Sequence, residues 1–168
     1  MNERYYIAYG SNLHKGQMGY RCPGATVVGT SEIKGWRLLF KGSGTGCYLT
    51  IEPRKESSVP VAIWRVTEED EKSLDHYEGF PRFYEKKDFN LEVETEDGRI
   101  LNLPCFAYIM TGGRHYGLPQ AYYYRTCLSG YRSFGFERSI LDRALADTLT
   151  MNYPRHDAMW DIYDSNMS

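Results

Sequence analysis

The sequence contains no apolar run near the ~18 residues that would suggest a membrane-spanning helix. Its opening, Met1 to Arg4, is polar and leads straight into a strand-like segment, so no signal peptide is expected. No charge of one sign dominates: 20 Lys and Arg stand against 22 Asp and Glu, a formal net charge of −2. That balance argues against a nucleic-acid partner, which needs a basic face, and against a polybasic membrane anchor. Cysteine is sparse. Cys22, Cys47, Cys105 and Cys127 are far apart with no C-x-x-C pair. Without an export signal they read as reduced and packed, and a cytoplasmic location is expected. The histidines, His14, His76, His115 and His156, lack metal-ligand spacing, so no metal is expected. There is no G-x-S-x-G nucleophile elbow. Gly42-Ser43-Gly44-Thr45-Gly46 is glycine-rich, but no Lys-Ser/Thr follows to make a P-loop, so it reads as a hairpin loop.

What is abundant is aromatic: 15% of the 168 residues, with 15 tyrosines. Disordered chains are poor in such residues. The length suits one domain. The expected organisation is a single domain over 1–150, followed by an aromatic tail over 151–168 that packs on the body or on a neighbouring copy, as in a homodimer. No repeat or low-complexity stretch interrupts the chain.

The first half is strand-rich. Tyr5, Ile7 and Tyr9 alternate with Tyr6 and Ala8, and Gly10-Ser11-Asn12 stops the strand. Leu13–Arg21 reads as a short helix ended by Cys22-Pro23-Gly24. Further strands are expected over Ala25–Ile33, Trp36–Phe40, Tyr48–Glu52 and Val59–Val66, with tight Gly and Pro punctuation between them. Thr67-Glu68-Glu69-Asp70 has the composition of a helix start. Gly79 and Pro81 end that helix. Phe83–Glu94 and Ile100–Met110 read as a hairpin around Asp97-Gly98. Thr111–Gly117 is a loop. Pro119–Tyr131 and Glu137–Leu149 read as closing helices, the second with Ile140, Leu141, Ala144, Leu145 and Leu149 on one apolar face. The fold class is α+β: a small mixed or antiparallel β-barrel with flanking helices.

Three constellations carry chemistry. Tyr9-Gly10-Ser11-Asn12-Leu13 is a strand breaking into a polar turn, where successive N–H groups can face one point and cradle a carboxylate. By spacing alone it reads first as a plain strand-to-helix turn that only caps the helix. Glu78 ends a helix just before Gly79. The negative end of the helix dipole and the nearby Tyr77, Phe80 and Phe83 would raise its pKa toward the range of a general base or acid. The plain alternative is a solvated surface glutamate. Pro119-Gln120-Ala121-Tyr122-Tyr123-Tyr124 sets tyrosines on a helix, as core or as ligand donors.

Together these pieces resemble the γ-glutamylcyclotransferase-like family, also known as AIG2-like. Tyr9 to Leu13 is similar to that family's opening Y-G-S-N-L loop, and Arg21-Cys22-Pro23-Gly24-Ala25 to the segment after its first helix. Leu74-Asp75 through Glu78-Gly79 resembles its L-D-x-x-E-G segment, and Pro119 with Tyr123 and Gly130 its late pocket segment. The likeness spans Tyr5 to Gly130. It implies a cofactor-free enzyme that cyclises a γ-glutamyl amino acid or γ-glutamyl amine to 5-oxoproline. Glu78 would be the general acid/base. Gly10, Ser11, Asn12 and Leu13 would hold the substrate carboxylate, and Tyr9 and Tyr123 would line the pocket. The Gly42–Gly46 and Thr111–Gly117 loops are expected beside it. Two other readings stand at this point: a non-catalytic binding module for a small carboxylate metabolite, and an interaction scaffold using the tyrosine-rich helix and the tail.

Overall fold

The computed structural model describes residues 3–152. Residues 4–66 supply strands β1 (Arg4–Ala8), β2 (Thr26–Ser43) and β3 (Gly46–Val66), with a 3-10 turn at Ser11–Leu13 and helix α1 (Lys15–Arg21) between β1 and β2. Helix α2 (Glu68–Glu78) leads into β4 (Tyr84–Thr95), β5 (Ile100–Met110) and the two-residue β6 (His115–Tyr116). Helices α3 (Ala121–Phe134) and α4 (Arg138–Asn152) close the chain.

Around the sheet the strands run β3-β1-β5-β4-β2, and β2 pairs back onto β3, so five strands close into a barrel. β6 adds to the outer part of β2 through Lys41 and Gly42. The barrel is mixed because β1 lies parallel to β5, while the other pairs are antiparallel. The closing step is at Gly29 and Thr30, which pair with Ile63 and Ala62 of β3 and also with Thr95 and Glu94 of β4. A Cβ on Gly29 would lie 2.1 Å from the Glu94 carbonyl oxygen, so only glycine admits this approach.

The four separate strands expected over residues 25–66 are two long ones, joined by the Gly-rich turn. Gly35 and the segment between Pro53 and Ser58 do not end them. Instead β2 and β3 bulge there, and pairing resumes on either side. The helix expected over 13–21 is split: Ser11–Leu13 is a 3-10 turn, and His14 caps α1 by accepting the Gln17 N–H. On α4, Leu141 and Ala144 are buried, but Leu149 is 42% exposed. Thr148 takes the inward position, accepting the Phe40 N–H at 3.0 Å and donating to the Ala144 carbonyl. The expected aromatic tail lies, beyond Asn152, outside the described residues.

The hydrophobic core includes Ile7, Ile51, Val61, Ile63 and Val93, with Phe106 on the opposite face of the sheet from Ile7. Cys22, Cys105 and Cys127 are buried free thiols and Cys47 is half-buried. No helix among the described residues is long and apolar enough to cross a membrane.

Candidate active site

Helix α2 is fixed at both ends. Thr67 and Asp70 form a reciprocal capping box, with Asp70 also accepting the Gly24 N–H at 3.2 Å. At the other end Gly79 takes φ 64, and the N–H groups of Gly79 and Phe80 close on the His76 and Asp75 carbonyls. Between these ends Leu74 is fully buried, which seats the helix on the body. Asp75 ties the last turn to the barrel wall: it accepts the Tyr108 hydroxyl at 2.6 Å and pairs with Lys86 at 2.8 Å. The final residue, Glu78, is thereby aimed into a hollow of about 380 Å³.

The turn after β1 forms the facing wall. Gly10, Ser11 and Asn12 line the same hollow. Asn12 donates to the Tyr6 hydroxyl at 2.9 Å and accepts from the Arg21 guanidinium, while Ser11 Oγ meets the Tyr77 hydroxyl at 3.1 Å. The turn's own bonds run from the N–H groups of Leu13 and His14 to Gly10 and Ser11. Among the described residues, the Ser11 and Asn12 N–H groups donate to no protein acceptor.

Tyrosines close the rest. Tyr6, Tyr9, Tyr48, Tyr84, Tyr108 and Tyr123 line the hollow with Tyr77 and Phe83. Burial first, and the neighbouring Glu78 charge second, push the Tyr6, Tyr9 and Tyr84 hydroxyls above their ordinary value, so they stay protonated. Tyr9 donates to the Tyr108 carbonyl at 2.5 Å, and Tyr84 to the Leu49 carbonyl at 2.8 Å. Tyr123 instead accepts the Leu49 N–H at 3.0 Å. Among the described residues its own O–H donates to no protein oxygen or nitrogen.

Glu78 itself accepts no hydrogen bond and pairs with no cation among the described residues. Loss of water raises its pKa to about 8, against the opposing pull of the Arg21 guanidinium. Arg21 is held in place over the Tyr77 ring, 3.4 Å from its centroid. A carboxyl group in this range exchanges protons readily near neutral pH.

The structure brings Glu78, Tyr9, Gly10, Ser11, Asn12 and Tyr123 to one hollow. Leu13 is a correction. It is fully buried under α3, not on the hollow, because Gly130 lets the helix press directly onto it. The expected loops differ as well. The hollow is lined by Tyr48 and Phe83, and by no residue of Gly42–Gly46 or Thr111–Gly117. Sequence reading missed Tyr6, Tyr84 and Tyr108, which period-2 alternation assigns to a strand face without saying what that face encloses. It also missed Arg21, whose only signal was its place at the end of a short helix. Among the described residues no group of three His, Cys, Asp or Glu could hold a metal ion.

A small closed mixed β-barrel with flanking helices defines the class of fold. The chain belongs to the γ-glutamyl cyclotransferase, AIG2-like family, whose model matches residues 6–126. It is similar in fold to a solved γ-glutamyl cyclotransferase, with TM-score 0.72, 24% identity and coverage of 86% of this chain and 88% of the other. An uncharacterized protein from Homo sapiens is similar too, with TM-score 0.70, 24% identity and coverage of 87% and 88%. A protein from Arabidopsis thaliana shares the fold at TM-score 0.54 and 15% identity, over 92% and 91% of the two chains. No curated protein matches the chain.

Proposed function

We propose that the protein cyclises a γ-glutamyl amino acid or γ-glutamyl amine to 5-oxoproline, with Glu78 as the general base and then the general acid. The carrying observation is that the Glu78 carboxyl and the Gly10–Asn12 turn line one hollow, the carboxyl with its pKa raised to about 8 and no protein partner among the described residues.

The substrate arrives with its α-amine protonated. The ionised Glu78 carboxylate removes one proton. The freed amine attacks the γ-carbonyl carbon of the same molecule, forming the ring C–N bond. As the bond to the leaving nitrogen breaks, Glu78 gives its proton to that nitrogen, then takes the second proton from the ring nitrogen and passes it to the released amine, which departs as an ammonium. Products are 5-oxoproline and the free amine or amino acid, with no net proton change at the enzyme. Because the nucleophile is tethered, orientation does most of the work, and well-oriented intramolecular reactions gain about 7–11 kcal/mol. The open N–H groups of Ser11 and Asn12 hold the substrate α-carboxylate. The Tyr6 and Tyr123 hydroxyls, each accepting one hydrogen bond, are side-chain donors turned toward the substrate; Tyr9 serves as a wall, since its proton is already given to a carbonyl.

The test is release of 5-oxoproline from γ-glutamyl amino acids, γ-glutamyl amines and glutathione by the purified chain. Glu78→Gln cannot take the proton, and its expected rate is lower by about 10²–10⁴-fold. Turnover by Glu78→Gln at the normal rate would remove the base from the mechanism. A wild type that binds 5-oxoproline without turning over any substrate would make the protein a binding module.

A further inference from the structure

Helices α1 and α3 contain no acidic residue, in a chain with 22 of them. Between these helices runs a surface groove of about 710 Å³, lined by His14, Tyr20, Arg21, Tyr77, Tyr122 and Arg125 among others, with no Asp or Glu on its walls among the described residues. Tyr77 lines both this groove and the Glu78 hollow, and Arg21 lies over its ring. The groove therefore adjoins the Glu78 hollow at Tyr77, and a group leaving the hollow past this ring would enter it. Arg125 is exposed and, among the described residues, has neither an ion pair nor a hydrogen bond. Its neighbours one turn away, Ala121, Tyr122, Leu128 and Ser129, offer it no counter-charge. Tyr20 is 91% exposed and Tyr122 68%, flat surfaces with nothing packed over them among the described residues.

We propose that this groove is a subsite for the leaving group and that Arg125 recognises a carboxylate on it, so that γ-glutamyl amino acids and peptides are favoured over neutral or cationic γ-glutamyl amines. The inference rests on the cyclotransferase reading of the hollow. Arg21 is already engaged by Asn12 and the Tyr77 ring, which leaves Arg125 as the free guanidinium for the incoming anion. A cationic leaving group would meet two arginines and no balancing acid.

The matched probes are γ-glutamylalanine and γ-glutamylalaninamide, identical in size and differing by one charge. The expected wild type prefers the acid in kcat/KM. Arg125→Ala lowers that preference by up to about fivefold, the scale of an exposed charge pair. Arg125→Glu reverses it, Arg125→Lys restores much of it, and the loss sits in KM. Added salt weakens the wild-type preference, because the pair is solvent-facing. A preference unchanged in Arg125→Glu overturns the subsite. Turnover of γ-glutamyl amines but of neither probe also overturns the subsite, whereas release of 5-oxoproline from no γ-glutamyl amino acid, amine or glutathione means that the cyclotransferase reading fails instead. The subsite is then judged by calorimetric affinity for the same two probes: tighter binding of the acid, lost in Arg125→Glu, supports it, and equal binding overturns it.

Discussion

Ser11 and Tyr77 meet through their hydroxyls at 3.1 Å, joining the turn after β1 to the last turn of α2. Glu78 follows Tyr77 directly, so this bond sets how far the carboxyl stands from the open N–H groups of the turn. Tyr77→Phe removes the bond but keeps the ring beneath Arg21. A neutral hydrogen bond contributes about 0.5–1.5 kcal/mol. The expected variant unfolds within a few degrees of wild type yet cyclises more slowly, since the two walls lose their shared register. Melting curves and initial rates measured together check this. Equal rates would mean that packing alone holds the spacing.

Burial of Glu78 links stability to pH. Its folded pKa of about 8 lies above the ordinary carboxyl value of 4.5. Between those values the folded chain retains a proton that the unfolded chain has lost, so this group's contribution is present at acid pH and declines as pH rises toward 8. Glu78→Gln never ionises. The difference in Tm, variant minus wild type, is expected to grow from pH 5 to pH 8. A flat difference across that window would contradict the desolvated carboxyl.

Arg21 pulls the same pKa downward. Removing its charge lets desolvation act unopposed. In Arg21→Met the rising limb of kcat/KM against pH, set by ionisation of Glu78, is expected to move to higher pH. The measurement is a pH–rate profile in both proteins with one neutral substrate. A limb that stays in place, or moves to lower pH, would show that the guanidinium does not act on this carboxyl.

Gly130 packs α3 against the 3-10 turn so tightly that a Cβ there would stand 2.5 Å from Leu13 Cβ and 2.6 Å from its carbonyl carbon. Backbone cannot yield as a flexible side chain can. Gly130→Ala is expected to destabilise the fold by about 1–3 kcal/mol, the usual range for an overpacked core, despite alanine's better helix propensity. Urea denaturation gives the value directly. A stabilised variant would mean that helix and turn separate at little cost.

Much of the fold was legible because its signals are short-range. Thr67 and Asp70 announce a helix start three residues apart, and the structure builds that capping box. Asp97-Gly98 marks the β4–β5 turn, and alternation along Tyr5–Tyr9 marks β1. The errors came where distant chain decides. Gly35 and Pro53 read as strand ends, yet the cross-strand partners on either side restore the ladder and turn the breaks into bulges. Leu13 sits in a motif with the site residues, but the helix pressed on it through Gly130 makes it core.

By itself the sequence determined the chemistry available: a glutamate at a helix end, a polar turn after the first strand, and a store of tyrosines. Those follow from capping, glycine and alternation, which act over a few residues. Only the tertiary structure decided that Glu78 shares one hollow with Ser11 and Asn12 and that Tyr6, Tyr84 and Tyr108 line it too. The reason is barrel closure. The parallel β1–β5 pairing and the Gly29 contact with β4 join segments dozens of residues apart, and their register, not any local motif, sets which side chains share the hollow.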